Sequence, residues 1–92
     1  MRVGSVVKLK LKVLGNPRGT LGVCYEEYNI GHKGCSFIFE NGNYDGFNEE
    51  EQGLFLEEVG FDEKVSKYKF SGVIKLSNDF IREGMFRECF NS

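Results

Sequence analysis

Strict alternation of apolar and charged side chains near the start of the chain is the feature that most limits its fold. A β-strand places successive side chains on opposite faces, so this alternation predicts a strand with one face in a core and the other in water. We predict that strand over residues 3–14. The apolar set is Val7, Leu9, Leu11 and Val13, and the charged set is Lys8, Lys10 and Lys12.

Turn-forming residues divide the next part of the chain into three more short strands. The segment 15–19 (GNPRG) predicts a turn, because proline fixes φ and glycine adopts conformations that other residues avoid. Asn41-Gly42 predicts a type I′ hairpin turn, in which both central residues need a positive φ. The strands that we predict cover residues 20–28, 35–40 and 43–47, with Leu21, Val23 and Tyr25 on one face of the first.

The apolar spacing after residue 47 changes to that of helices. Asn48 followed by three glutamates is typical of a helix start, since Asn caps the first amide groups and acids favour the positive helix end. We predict a helix over residues 49–59 that stops at Gly60, a fifth strand over 69–76, and a last helix over 79–90 capped by Ser77 or Asn78. The predicted buried side chains of the two helices are Leu54, Phe55 and Val59, then Phe80, Ile81, Met85, Phe86 and Cys89.

Length and composition fit one small domain over residues 1–92. A chain of 92 residues, 40% of them hydrophobic, can bury one modest core without metals or disulfides. No apolar run is long enough to span a bilayer, and the first residues do not resemble a signal peptide, so we predict a cytoplasmic location with three reduced cysteines and no membrane partner. The predicted fold class is α+β, mainly β, with five short antiparallel strands and two helices.

The segment between the first two predicted strands resembles the KOW motif of ribosomal proteins and transcription-elongation factors. Residues 13–23 (VLGNPRGTLGV) have the motif's glycine spacing at Gly15, Gly19 and Gly22, and its Pro-basic-Gly turn. The resemblance implies a five-stranded small barrel of the Src-homology-3 type, in which this segment belongs to the first hairpin. The predicted helix 49–59 would then be inserted before the last strand of the barrel.

Charge is segregated along the chain although the net charge is only −2. Residues 1–25 carry five basic groups and no acid, residues 26–63 carry eleven acids and one base, and residues 64–92 carry six bases and three acids. Segregated charge can orient a binding partner even when the total is near zero. The charge pattern therefore leaves two kinds of partner open, a basic protein segment and a nucleic acid.

The function that we predict is a non-enzymatic module that binds a protein partner. Tyrosine and phenylalanine beside carboxylates suit a peptide that carries Lys or Arg, through cation–π and charge contacts. In a variant of this hypothesis, the acidic stretch 49–63 imitates nucleic-acid charge, as in a phage- or operon-encoded accessory or inhibitor protein. The candidate partner-binding residues are Glu26, Glu27, Tyr28, Tyr44, Asp45 and Phe47.

The alternative function is RNA or DNA binding by a KOW-like domain associated with transcription or translation. Three lysines on one strand face, with an arginine on the adjoining turn, could contact successive phosphates. Exposed tyrosines could stack on bases. A third hypothesis is self-association through exposed apolar helix surface. The candidate nucleic-acid-binding residues are Lys8, Lys10, Lys12 and Arg18, with Tyr25, Tyr28 and Tyr44 as stacking residues.

Metal binding and catalysis are weakly indicated. His32 and Cys35 have a His-x2-Cys spacing that Cys24 and Cys89 could complete, but no Cys-x2-Cys pair is present and the other two cysteines lie in apolar patterns. A catalytic Cys–His pair needs hydrogen-bond reach and an orienting group, and both residues lie in a glycine-rich turn. We therefore predict no metal, no cofactor and no enzymatic activity.

Overall fold

Five antiparallel strands form one sheet in the computed structural model, which describes residues 1–91. The strand order is β4-β3-β2-β1-β5. The strands are β1 (Ser5–Leu9), β2 (Leu21–Tyr28), β3 (Gly34–Phe39), β4 (Tyr44–Asn48) and β5 (Leu56–Phe61). The helices within these residues are α1 (Glu49–Phe55), α2 (Glu63–Ser66), α3 (Val73–Arg82) and α4 (Gly84–Glu88).

The sheet is open, and different parts of the chain form its two edges. β1 pairs with both β2 and β5, whereas β4 pairs with β3. β4 and β5 therefore lie at opposite edges, and no ladder joins them in residues 1–91. The predictions of an α+β fold and of five antiparallel strands are confirmed, but the sheet does not close as a barrel would.

Both faces of the sheet are buried against hydrophobic side chains. Helices α2, α3 and α4 cover one face, which we call the helix-covered face. The sheet and α1 enclose a second cluster on the other face, which we call the inner face. The buried residues of the first cluster are Val6, Val23, Tyr25, Ile38, Val65, Leu76, Phe86 and Cys89. Those of the second are Val7, Leu9, Cys24, Cys35, Phe37, Phe39, Phe47 and Leu56.

β1 is shorter than the strand predicted over residues 3–14. Val7 and Leu9 are buried and Lys8 is exposed, as the alternation predicts, but the strand ends at Leu9. The ladder with β2 closes there, since Leu9 donates to Thr20 and accepts from Gly19. Leu11 was predicted to be buried and is exposed, because the chain has already left the sheet.

A tight turn, Val13–Asn16, follows in the β1–β2 connection. Backbone hydrogen bonds of 3.0 and 2.8 Å join Val13 and Asn16 in both directions. Leu14 and Gly15 between them have φ values of 51° and 81°, the pattern of a type I′ turn. The buried Asn16 side chain accepts hydrogen bonds from the side-chain amides of Asn41 and Asn43, which ties this turn to the β3–β4 hairpin.

The hairpin predicted at Asn41-Gly42 is present, but the predicted turn type is wrong. Phe39 donates to Asn43 and Gly42 donates to Phe39, both at 2.8 Å, so the loop has three residues. Gly42 has a φ of 89°, whereas Leu14 is the only residue other than glycine with positive φ in residues 1–91. Asn41 therefore does not adopt the left-handed conformation that a type I′ turn requires, and the loop matches the three-residue class with a left-handed glycine.

The start of α1 is confirmed, but its predicted end is wrong. Asn48 accepts from the backbone N–H of Glu51, and the Glu51 carboxylate accepts from that of Asn48, which forms a capping box. The helix ends at Phe55 rather than at residue 59, because the next six residues pair with β1. Leu54 and Val59, predicted as buried, are exposed, and Gly60 lies in β5 opposite Val6 rather than at a helix end.

The strand predicted over residues 69–76 is wrong, because residues 73–82 form α3. Leu76 is fully buried and Phe80 packs beside it on the same cluster, four residues apart as in a helix. The predicted helix over 79–90 is divided at Glu83 between α3 and α4, and α3 begins after Gly72 instead of at the predicted caps Ser77 or Asn78.

Among the buried set predicted for the last helix, most side chains reach the core and one does not. Phe86 and Cys89 are buried, and Phe80 and Met85 are partly buried against the helix-covered face. Ile81 is exposed, because Leu76 and Phe80 define the buried face of α3 and Ile81, five residues after Leu76, lies about 140° away around the helix. No helix in residues 1–91 is both long enough and apolar enough to cross a membrane.

We predict that Leu14→Asn stabilises the protein. Leu14 is 64% exposed and held at positive φ, a conformation that costs a leucine about 1 kcal/mol and that asparagine tolerates better. We therefore expect the free energy of unfolding, measured by urea titration, to rise by a large part of that amount. Leu11→Asn is the matched control, because Leu11 is similarly exposed but has no positive φ. Equal changes in the two variants would contradict the prediction.

Candidate functional site

Tyr28 lies across the backbone of two neighbouring strands where two glycines make room for its ring. A Cβ added to Gly34 would lie 2.3 Å from the Tyr28 ring, and one added to Gly46 would lie 3.4 Å from its hydroxyl oxygen. At Gly34 only a residue without a side chain allows this close approach, whereas a Cβ at Gly46 would make an ordinary van der Waals contact. His32 meets the half-buried Tyr28 ring edge-on, with 5.7 Å between the ring centroids. The glycines therefore fix where this aromatic side chain points.

Three of the predicted partner-binding residues, Glu26, Tyr28 and Tyr44, share one surface. Glu26 lies opposite Ser36, which in turn lies opposite Gly46, and Tyr44 lies opposite Ile38. This register places all of them on the side of the sheet that carries the helix-covered cluster, at a part that the helices leave open: Tyr44 is 44% exposed. We call Glu26, Tyr28, Ser36 and Tyr44 the tyrosine surface.

The other three predicted partner-binding residues point to the opposite side of the sheet. Glu27 lies opposite Cys35 and Asp45 lies opposite Phe37, both of which belong to the inner cluster. Phe47 is only 2% exposed and packs against Phe37, with 5.8 Å between ring centroids. Phe47 is a core residue and leaves no surface for a partner to contact.

A cleft of about 400 Å³ adjoins the tyrosine surface at the end of β2. Tyr28 lines this cleft and also belongs to the tyrosine surface, so it connects the two. Two carboxylates and one ammonium group line the cleft together with buried polar side chains. The residues with functional groups in its wall are Glu27, Tyr28, Lys33, Cys35, Glu49 and Gln52.

Two of the three cysteines affect each other's ionisation at this cleft. The neighbouring Cys35 side chain, together with burial, raises the pKa of Cys24. The Cys24 side chain in turn lowers the pKa of Cys35, against the opposing effect of burial. Cys89 lies in the other cluster, where burial raises its pKa to about 12. The thiols therefore divide into an interacting pair and one isolated thiol.

The four residues considered as possible zinc ligands do not all come together in the structure. Cys24 and Cys35 lie in the inner cluster, Cys89 lies in the helix-covered cluster, and His32 packs on Tyr28. No three His, Cys, Asp or Glu side chains in residues 1–91 form a group that could hold a metal ion.

The basic residues considered for nucleic-acid binding do not share one strand face. Lys8 lies in β1, opposite Glu57 of β5. The Lys10 ammonium donates a 2.7 Å hydrogen bond to the carbonyl of Gly53. Lys12 and Arg18 are exposed in the β1–β2 connection, outside the sheet. The alternation that suggested a lysine stripe is therefore interrupted where β1 ends.

The β4 edge next to the tyrosine surface is closed to further strand pairing by carboxylates. The backbone N–H of Gly46 donates to the Asp45 carboxylate at 2.7 Å, and that of Asn48 donates to Glu51 at 2.9 Å. Charged groups that occupy an edge in this way discourage pairing with another strand. A partner at this site would therefore contact side chains rather than extend the sheet.

Sequence reasoning missed three residues that shape the site, namely Gly34, Gly46 and Gln52, and considered Glu49 only as part of the acidic stretch 49–63. A signal for the glycines was present, since glycine inside a strand pattern often marks a place where a side chain approaches the backbone closely. Nothing comparable marked Gln52, because its position depends on how α1 packs beside β4 and β5.

Comparison with known proteins gave no match: no protein-family model, no curated protein and no solved structure is significantly similar to this chain.

We predict that Gly34→Ala displaces the Tyr28 ring. The added methyl group would overlap the ring, so we expect a loss of about 1–3 kcal/mol in the free energy of unfolding. The His32 ring proton shifts should move in the NMR spectrum, because the edge-on contact with Tyr28 is lost. The control is Gly53→Ala in α1, where a Cβ meets nothing within 4 Å and should stabilise the helix by about 0.5–1 kcal/mol. Unchanged His32 shifts in Gly34→Ala would show that Tyr28 is not held as described.

Proposed function

We propose that this protein is a non-enzymatic interaction module that binds a basic segment of a protein partner at the tyrosine surface and the adjoining cleft. The observation that carries the proposal is the fixed position of Tyr28 between carboxylates. Glu26 lies on its sheet face, and Glu27 and Glu49 line the cleft on its other side.

The chemistry of this site suits the cationic side chains of arginine and lysine. Arginine and lysine are attracted to aromatic faces by about 0.5–2 kcal/mol, depending on desolvation. A carboxylate that accepts a charge-assisted hydrogen bond from the same cation adds geometric selectivity. One tyrosine and two carboxylates in the cleft, with Glu26 and Tyr44 on the adjoining surface, could therefore recognise a short segment with two or more basic residues.

Pre-organisation supports binding at Tyr28 in particular. The ring is held by Gly34, Gly46 and His32, so little side-chain freedom is lost when a partner covers it. The local charge disfavours the alternative partner, a nucleic acid, at this surface, because Glu26, Glu27 and Glu49 would repel phosphates. A nucleic acid would have to use Lys12 and Arg18 in the β1–β2 connection instead.

For the fold, we propose an open relative of the small Src-homology-3-type barrels, as the KOW-like segment suggests. Three features support the proposal: the segment 13–23 joins two antiparallel strands, Gly19 has a φ of 91° in its turn, and α1 is inserted directly before the last strand. The fold differs from that barrel in two ways: its sheet is open, and it has three C-terminal helices within residues 1–91.

The proposed function predicts which residues respond to a basic peptide. In a titration of ¹⁵N-labelled protein with peptides that carry two or three Arg or Lys residues, we expect shift changes at Tyr28, Ser36 and Tyr44. Tyr28→Ala and Glu26→Lys should each weaken binding by about tenfold, since a desolvated cation–π or charge contact contributes about 1–2 kcal/mol. The paired control is Lys12→Glu, which reverses a charge away from the site and should leave peptide binding unchanged.

Two results would contradict this function. Shift changes confined to residues 10–18 on adding a single-stranded oligonucleotide, with none on adding basic peptides, would favour the nucleic-acid alternative. Equal binding of acidic and basic peptides would show that the carboxylates do not select the ligand.

A further inference from the structure

Cys24 and Cys35 lie side by side on the inner face of the sheet, on neighbouring strands. Both belong to the same buried cluster. Cys24 lies opposite Phe37, and Cys35 is two residues before Phe37 on the same face, so the two cysteines are diagonal neighbours; the β2–β3 register shifts between Cys24 and Glu26, which marks a β-bulge. The two thiols do not donate to each other: Cys24 donates to the carbonyl of Glu26 and Cys35 to that of Met1.

The two thiols differ in how they can be reached. Cys24 is fully buried and its Sγ donates a 3.3 Å hydrogen bond to the carbonyl of Glu26. Cys35 is 4% exposed and lines the cleft of about 400 Å³ beside Tyr28 and Gln52. A molecule as small as hydrogen peroxide could therefore meet Cys35 through the cleft, whereas Cys24 would be reached only through Cys35.

Ionisation favours the same order of reaction. The thiolate is the reactive form of cysteine, and the neighbouring Cys24 side chain lowers the pKa of Cys35, whereas the pKa of Cys24 itself is raised. Redox-sensitive cysteines are typically ionised, reachable from solvent and placed beside a second thiol that completes the reaction. The isolated Cys89, buried in the other cluster, has none of these features.

We propose that Cys35 is a peroxide-reactive site and that Cys24 is its resolving thiol. The Cys35 thiolate attacks one oxygen of hydrogen peroxide, the O–O bond breaks, and hydroxide leaves to take up a proton and become water. The Cys24 sulfur then attacks the sulfur of the Cys35 sulfenic acid, the S–O bond breaks, and a second water leaves with the Cys24 proton. Two thiols are oxidised to one disulfide, and the peroxide receives the two electrons.

The bulge makes this disulfide compatible with the sheet, and also reversible. Diagonal residues in a regular antiparallel ladder have Cα atoms about 7–8 Å apart, whereas a disulfide usually spans about 4.4–6.8 Å. The extra residue at Tyr25 allows β2 to shift locally without breaking the rest of the ladder. A bond that is formed with some strain is more easily reduced than an unstrained structural disulfide.

The test is an oxidation of the full chain, reduced beforehand and then treated with a small excess of hydrogen peroxide. We expect the intact mass to fall by two hydrogen atoms, a proteolytic map to join the Cys24 and Cys35 peptides, and dithiothreitol to reverse both changes. Cys89→Ser is the control variant and should behave in the same way. A cross-link that includes Cys89, or no cross-link between Cys24 and Cys35, would overturn the proposal.

The order of the two steps has its own test. In Cys24→Ser, the sulfenic acid at Cys35 should persist and be trapped by dimedone, whereas Cys35→Ser should show no dimedone adduct at Cys24. In the unmodified chain, iodoacetamide should alkylate Cys35 at least about tenfold faster than Cys89, as expected for a thiol with more thiolate at neutral pH. Faster alkylation of Cys89 would contradict the assignment even if a serine variant failed to fold.

Discussion

Burial of both sides of one sheet is the constraint on which the rest of this structure depends. The central strands have apolar side chains on each face, as in the run Phe37, Ile38 and Phe39, all of which are buried. Each side therefore needs its own cover, because apolar area left in water costs about 25 cal/mol per Å². The C-terminal helices cover one side, and the sheet itself with α1 encloses the other. The site beside Tyr28 lies where neither the C-terminal helices nor α1 extend over the sheet. It is therefore open to a partner although the strands that carry it are part of the sheet.

This constraint explains how much of the fold could be predicted from the sequence. Signals that act within a few residues were reliable: Asn48 and Glu51 cap a helix, and Gly42 turns a hairpin. Segments whose partners are distant in sequence were not. The sequence of β5 mixes acidic and apolar residues as the preceding helix does. It forms a strand because its backbone hydrogen-bonds to β1. Residues 73–76 have strand-forming side chains and become helical because Leu76 fills the space above the sheet.

The candidate site shows the same division between local and distant information. Glu26, Tyr28 and Tyr44 share a surface, whereas Glu27 and Asp45, which the sequence analysis grouped with them, lie on the other face because successive residues of a strand alternate. Phe47 belongs to the core because the inner cluster needs a residue at that register. The bulge after Cys24 changes which side chains of β2 meet those of β3, and no local pattern indicates a bulge. The glycines alone suggest that a side chain packs closely on the backbone there. They do not show that this side chain is Tyr28 of β2.

The position of β1 between β2 and β5 has a consequence for the order in which the protein folds. Lys8 and Glu57, which pair across β1 and β5, are 49 positions apart in the chain, whereas β2, β3 and β4 are joined by short connections. Loop closure over a long separation carries an entropic cost before any contact compensates for it, so high contact order slows folding. During synthesis, β1 to β4 emerge from the ribosome before β5 does, so the β1–β4 meander can assemble before β5 joins it. Until then one edge of β1 remains unpaired, and that edge is the part of the nascent chain most exposed to misassembly with another strand.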